Sequence, residues 1–131
     1  MKKLIGVTLA ATMIAAMPAM AGEVQHDANG DGKLIIYGIY KSGDQEWFLN
    51  AGEAARKVVE EAGGEFYYVD VALEGQKELD AIDQAYANKA DGIVTCTPDQ
   101  SMSQASVDKC SEYGIAVVAN DDALEVNGEK I

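Results

Sequence analysis

From Lys33 onward the chain alternates between two hydrophobic rhythms. Lys33-Leu-Ile-Ile-Tyr-Gly-Ile-Tyr40 is nearly continuous apolar, the pattern of a strand covered on both faces. Phe48, Ala51, Ala55, Val58 and Ala62 then recur at spacings of three and four, which predicts a helix capped by Asp44 and burying those residues. Gly63-Gly64 ends it. Glu65 to Val71, rich in aromatic and β-branched residues, reads as a second strand. Gln76 to Asn88 reads as a second helix burying Leu79, Ile82 and Tyr86. Gly92 to Cys96 predicts a third strand, Ser101 to Tyr113 a third helix stopped by Gly114, and Ile115 to Ala119 a fourth strand. The order βαβαβαβ with short connections specifies an α/β fold. Its parallel sheet carries helices on both faces, joined by right-handed crossovers.

The segment before Lys33 follows another logic. Met1-Lys2-Lys3 is basic, Leu4 to Met17 is largely apolar, and Pro18-Ala19-Met20-Ala21 ends in small residues at the positions a signal peptidase requires. Residues 1–21 therefore read as an export signal cleaved after Ala21, and the polar, glycine-rich residues 22–32 as a flexible leader. The apolar stretch falls short of the roughly 20 residues that span a bilayer, so the protein is not expected to be membrane-embedded. The expected location is an oxidising compartment outside the cytoplasmic membrane. An even cysteine count permits a disulfide there. Yet Cys96 ends a strand and Cys110 lies within the helix that follows, so two buried, unpaired thiols are expected.

Charge narrows the partners. The 131 residues, enough for one domain, carry a net charge of −12, and loss of Lys2 and Lys3 with the signal takes it to −14. Such a surface repels phosphate backbones and anionic lipid, which argues against nucleic acid and membrane surfaces. Neutral or cationic small ligands remain.

In a parallel α/β sheet, ligands sit outside the carboxyl ends of the strands, near the point where strand order reverses. Those ends hold Lys41 to Phe48, Cys96-Thr-Pro-Asp99 and Asn120-Asp121-Asp122. Together they supply a cation (Lys41), a flat ring (Trp47), carboxylates (Asp121 and Asp122) and a thiol (Cys96). This mixture suits a polyhydroxy ligand. Carboxylates accept from hydroxyls, lysine and amides donate, and an indole packs on C–H faces. Hydrogen bonds to charged groups contribute about 1.5–3 kcal/mol each. Plainer roles stand beside these: Trp47 as a core anchor, Asp121-Asp122 as a solvated pair, Cys96 as simple packing.

Other chemistries lack their residues. No Gly-x-Gly-x-x-Gly turn follows the first strand and no phosphate-binding Gly-x-x-x-x-Gly-Lys occurs, so no nucleotide cofactor is expected. The lone histidine, His26, lies in the leader, leaving no histidine triad or zinc cluster. Asp121 and Asp122 are neighbours, whereas glycosidase carboxylates flank the scissile bond from opposite sides. Catalysis is not expected. Asp27-Ala-Asn29-Gly-Asp31-Gly32 matches the first half of a calcium loop, but its twelfth position is Gly38, inside the first strand. It reads as a polar turn rather than a metal site.

The signal, the element order and the strand-end residues resemble the bacterial periplasmic sugar-binding proteins of type I, and among them the L-arabinose binders. Gly92-Ile-Val-Thr-Cys-Thr-Pro-Asp99 is similar to that family's strand-to-loop segment, including a thiol near the sugar. Val117-Val-Ala-Asn-Asp-Asp122 is similar to its acidic pair. Lys41, followed six residues later by Trp47-Phe48, matches its ligand lysine and stacking tryptophan. Where the family has a glutamate four residues past that lysine, this chain has Gln45, with Glu46 one step off register. The resemblance covers about residues 33–128. It implies a Rossmann-like N-terminal lobe and a ligand set of Lys41, Gln45, Trp47, Cys96, Asp121 and Asp122. It also implies a periplasmic protein that hands an arabinose- or galactose-like aldose to an inner-membrane ABC permease with its ATPase. Family members close two lobes around the sugar and run well over twice this length. Residues 33–131 are therefore expected to be an incomplete N-terminal lobe, and the chain a fragment. The alternatives are a sugar-sensing module for a chemoreceptor or kinase, and a fragment of an exported carbohydrate-active enzyme.

Overall fold

The computed structural model describes residues 27–131. The export signal at 1–21, its cleavage point, the start of the leader and His26 lie outside the described residues. Strand β1 (Ile35–Tyr40) leads to helix α1 (Glu46–Glu61), β2 (Glu65–Asp70), α2 (Gly75–Ala87) and β3 (Gly92–Cys96). A 3-10 turn at Gln100–Met102 opens α3 (Ser103–Tyr113), which is followed by β4 (Ala116–Ala119). A short antiparallel hairpin, β5 (Glu125–Val126) with β6 (Glu129–Lys130), comes last and was not anticipated from the pattern. The first four strands form one parallel sheet in the order β2-β1-β3-β4. Among the described residues no helix is long and apolar enough to cross a membrane.

The continuous apolar run of β1 is explained by its two buried faces. Ile35, Tyr37 and Ile39 pack with Ala81, Ile82 and Ala85 of α2, Ile93 of β3 and Cys110 of α3. On the opposite face Tyr40, Phe66 and Cys96 pack against Phe48, with Ala51, Ala55 and Val59 of α1 beside them. Gly38 makes this second layer possible. A Cβ there would sit 2.4 Å from Cζ of Phe66, so only a glycine lets that ring lie across β1. Gly114, with φ of +71°, takes the left-handed turn that ends α3.

Three local expectations are corrected. Asp44 does not cap α1: Gln45 occupies the cap position without a side-chain bond, and Asp44, one residue earlier, accepts from the Ser42 hydroxyl instead. Val58 is 66% exposed, with Val59 packing in its place, and Ala62 is exposed at the C-terminal cap of α1. Tyr86 is also exposed, its ring stacked on Tyr113 of α3 at the surface with centroids 4.1 Å apart. The positions of α2 that are buried are Glu78, Ala81, Ile82 and Ala85.

Residues 27–32 form a turn. The Asp27 carboxylate accepts from the backbone N–H groups of Asp31 and Gly32, which hold its carboxyl below the usual range. The buried Asp91 ties this turn to the sheet by accepting from the N–H groups of Ala28 and Ile35. Both cysteines are free and buried, as expected.

Candidate functional site

From β1 the chain crosses to β2 on one side and then returns to β3 on the other. The loops leaving β1 and β3 therefore diverge and open a crevice at the carboxyl ends of those strands. Lys41 follows β1 directly, and Cys96 ends β3 in register with Tyr40. On the far side of β3, the Asn120 N–H donates to the Thr95 carbonyl at 2.8 Å, extending the pairing just past β4. Asp121 then takes φ of +72°, a left-handed turn that aspartate tolerates better than most side chains.

That turn brings four side chains together. Lys41 Nζ lies 2.5 Å from one Asp122 oxygen and 3.7 Å from an Asp121 oxygen. The Cys96 Sγ lies 3.9 Å from Asp121 and 4.0 Å from Asp122. Beneath them the Phe48 ring, buried in the first turn of α1, sits 5.4 Å from Lys41 Nζ. The hydrogen bond that Lys41 donates to Asp122 holds its ammonium above the usual pKa, against the opposing effect of burial. Burial pushes the Cys96 thiol up, with Lys41 and a backbone N–H of Asp122 pulling the other way. Lys41 is thus a fixed cation at neutral pH, and Cys96 a neutral thiol.

The other two candidates stand at the rim. Trp47 starts α1 beside Phe48 and is 63% exposed, so it is not a core anchor. Gln45, at the cap of α1, is exposed and uses its backbone carbonyl to accept from Phe48 and Leu49. Cys96, Asp121 and Asp122 offer ligand atoms within 4.8 Å of one another, the reach of one metal ion. Lys41, however, already places its positive charge against both carboxylates, so a metal ion would have to displace it.

Residues behind the site carry chemistry that the pattern did not flag. Glu78 of α2 is fully buried and accepts from Thr95 Oγ1 at 2.9 Å and Thr97 Oγ1 at 2.8 Å. The signal was available: Glu78 precedes Ala81, Ile82 and Ala85 by three, four and seven residues, on one helical face. In the loop after β3, the Asp99 carboxylate accepts from the Ser101 N–H, which caps the 3-10 turn, and the Ser101 hydroxyl together with that N–H lowers its pKa.

Residues 35–131 match the family described as periplasmic binding protein domain. The chain is 36% identical over 84 residues to the L-arabinose-binding periplasmic protein of Escherichia coli strain K12, covering 64% of this chain and 25% of that protein. It is 32% identical over 118 residues to an ABC transporter L-arabinose-binding periplasmic protein of Azospirillum brasilense, covering 89% of this chain and 34% of that one. The chain thus spans a quarter to a third of the length of these curated relatives. Among solved structures, an ABC transporter solute binding protein from Bacillus halodurans C-125 with bound myo-inositol superposes with a TM-score of 0.62 at 16% identity. That match covers 72% of this chain and 33% of the other. A solute binding protein from Burkholderia multivorans gives 0.58 at 22% identity, over 73% of this chain and 35% of that one. At these identities the two structures speak to the fold alone.

Proposed function

This chain belongs to the periplasmic binding protein family, and on that premise we propose that it captures a monosaccharide. The expected ligand is an arabinose- or galactose-like aldose, delivered in the periplasm to an inner-membrane ABC permease with its ATPase. The observation that carries this reading is the ion pair of Lys41 with Asp121 and Asp122, beside the exposed indole of Trp47. A neutral polyol can enter that pair without stranding a charge. Its hydroxyls donate to the carboxylates and accept from the ammonium, while its C–H face packs on the indole. A charged ligand satisfies one partner and leaves the other desolvated and unpaired, which is costly. The relatives named for L-arabinose support the choice of sugar.

The same groups are poorly suited to catalysis. The raised pKa of Lys41 keeps it from acting as a base at neutral pH, and the raised pKa of Cys96 keeps it from acting as a nucleophile. Binding without chemistry is the reading we propose, as the named relatives are binding proteins.

One lobe leaves a ligand facing water on its other side. If each contact supplied by a second lobe is worth about 1 kcal/mol, losing four or five weakens binding by roughly three orders of magnitude. This chain by itself is expected to bind in the millimolar range. An NMR titration with L-arabinose and D-galactose tests the reading, with a nucleotide monophosphate as control. Amide shifts should centre on Lys41, Gln45, Trp47, Cys96, Asp121 and Asp122, with none from the nucleotide. Sugars that move no resonance, or move resonances far from this edge, would overturn it.

A further inference from the structure

Glu78 is buried among α2, β3 and α3, and its two carboxylate oxygens receive the Thr95 and Thr97 hydroxyls. Those threonines flank Cys96 in sequence and face the opposite side of β3 from it. Thr97 Oγ1 also lies 3.0 Å from the Asp99 carbonyl oxygen, in the loop between β3 and α3. A hydroxyl carries a single hydrogen, so Thr97 can donate to Glu78 or to Asp99 but not to both.

The charge on Glu78 decides between them. An ionised carboxylate only accepts, and it claims the Thr97 hydrogen. A protonated carboxyl can donate its own hydrogen to Thr97 Oγ1, and the Thr97 hydroxyl is then free to turn to the Asp99 carbonyl. The Asp99 carbonyl also accepts from the Met102 N–H at 2.9 Å, so it keeps a partner in either arrangement.

The surroundings of Glu78 make that choice accessible. From β3 it meets the two threonines; from α3 it faces the buried Ser106 hydroxyl, which makes no hydrogen bond of its own, and the buried Cys110 thiol. Among the described residues no lysine, arginine or histidine forms an ion pair with it, and Lys109 of α3 is committed to Asp83. Burial without a cation favours the neutral acid and raises its pKa, against the three hydroxyls that favour the anion. The neighbouring Cys110 thiol is pushed up to about 11 by burial and then by Glu78, so it stays neutral while Glu78 titrates.

We propose that Glu78 is a positioning residue for the loop between β3 and α3. Gain of a proton on its carboxyl turns the Thr97 hydroxyl from Glu78 to the Asp99 carbonyl and resets that loop beside the ligand edge. The same strand end supports the acidic pair through the Thr95 carbonyl and Asn120 N–H. The inference goes beyond the sugar reading and does not depend on what ligand binds.

The test needs no ligand. The protein, labelled with 13C at glutamate side-chain carboxyls and with 15N at the backbone, is titrated with acid and followed by NMR. Glu78 should titrate above the usual glutamate range, and the Thr97 and Asp99 amides should share its midpoint. The Asp99 carboxyl itself titrates below the usual range, which separates the two events. Glu78→Gln carries a permanent donor, so it should hold Thr97 and Asp99 at their low-pH positions throughout. Thr97→Val should leave Glu78 titrating while the Asp99 amide no longer follows it, and this variant decides the matter should the glutamine variant fold poorly. An Asp99 amide that ignores the Glu78 midpoint, or follows it equally well in Thr97→Val, would overturn the proposal.

Discussion

Substitution at Asp121 separates the backbone's demand from the ligand's. The residue sits at φ of +72°, where a side chain with a Cβ costs roughly 1–2 kcal/mol and aspartate, asparagine and glycine cost less. Its carboxylate lies 3.7 Å from Lys41 Nζ with a side chain 38% exposed, so the ion pair is worth about 0.5 kcal/mol at most after screening. Asp122, at 2.5 Å, is the closer partner and remains. Asp121→Asn should therefore lower stability by under about 0.5 kcal/mol. Asp121→Gly loses the pair but relaxes the turn, and should stay within about 0.5 kcal/mol of the parent. Asp121→Ala loses both, at about 1–2 kcal/mol. Binding should follow another order. The glycine and alanine variants both lack the acceptor for a sugar hydroxyl, so L-arabinose affinity should fall by about 1.5–3 kcal/mol, roughly tenfold to a hundredfold. Urea unfolding reads the first series and L-arabinose titration the second. A glycine variant as unstable as the alanine variant would refute the backbone argument. Unchanged arabinose affinity in the glycine variant would reduce the acidic pair to solvated surface.

Trp47→Ala should leave thermal stability nearly unchanged, since the indole is 63% exposed, yet weaken L-arabinose binding in the same titration. Gly38→Ala places a methyl 2.4 Å from Phe66 Cζ and 2.7 Å from Tyr40 Cε2, between two buried rings, and should cost about 1–3 kcal/mol in urea unfolding. Glu78 sets a pH dependence whose sign is fixed by its raised pKa. The folded state holds the proton more tightly than the unfolded chain. Its contribution is therefore fully present below 4.5 and is lost as pH rises through the folded value. Unfolding free energies of Glu78→Gln should lack that decline, and a variant whose pH profile matches the parent would show that Glu78 stays ionised.

What the sequence disclosed, and what it hid, follows from the kind of interaction involved. The strands were legible because β1 is covered on both faces and has to be apolar throughout. Helix ends were legible where a glycine takes a positive φ, as Gly114 does. The buried face of α1 was misjudged by one position at Val58 because hydropathy gives no weight to Gly52. That glycine contributes space: a Cβ there would lie 2.4 Å from the Tyr68 ring. Tyr86 was misplaced because its partner is Tyr113 on another helix, a tertiary fact invisible along one segment. Glu78 was passed over because a carboxylate reads as solvent-facing until the threonines that satisfy it are known.

The candidate site shows the same division. Strand ends named Lys41, Cys96, Asp121 and Asp122 without any knowledge of distances. Their mutual contact depends on a feature with no sequence marker. In an extended strand, neighbouring side chains point to opposite faces, so Asp121 and Asp122 would diverge and only one could reach Lys41. The left-handed backbone at Asp121 cancels that alternation and turns both carboxylates toward one ammonium and one thiol. Glycine would have advertised such a turn, but glycine has no carboxylate to offer. An aspartate there combines a turn it tolerates with a carboxylate that reaches Lys41, which neither glycine nor an extended aspartate would do.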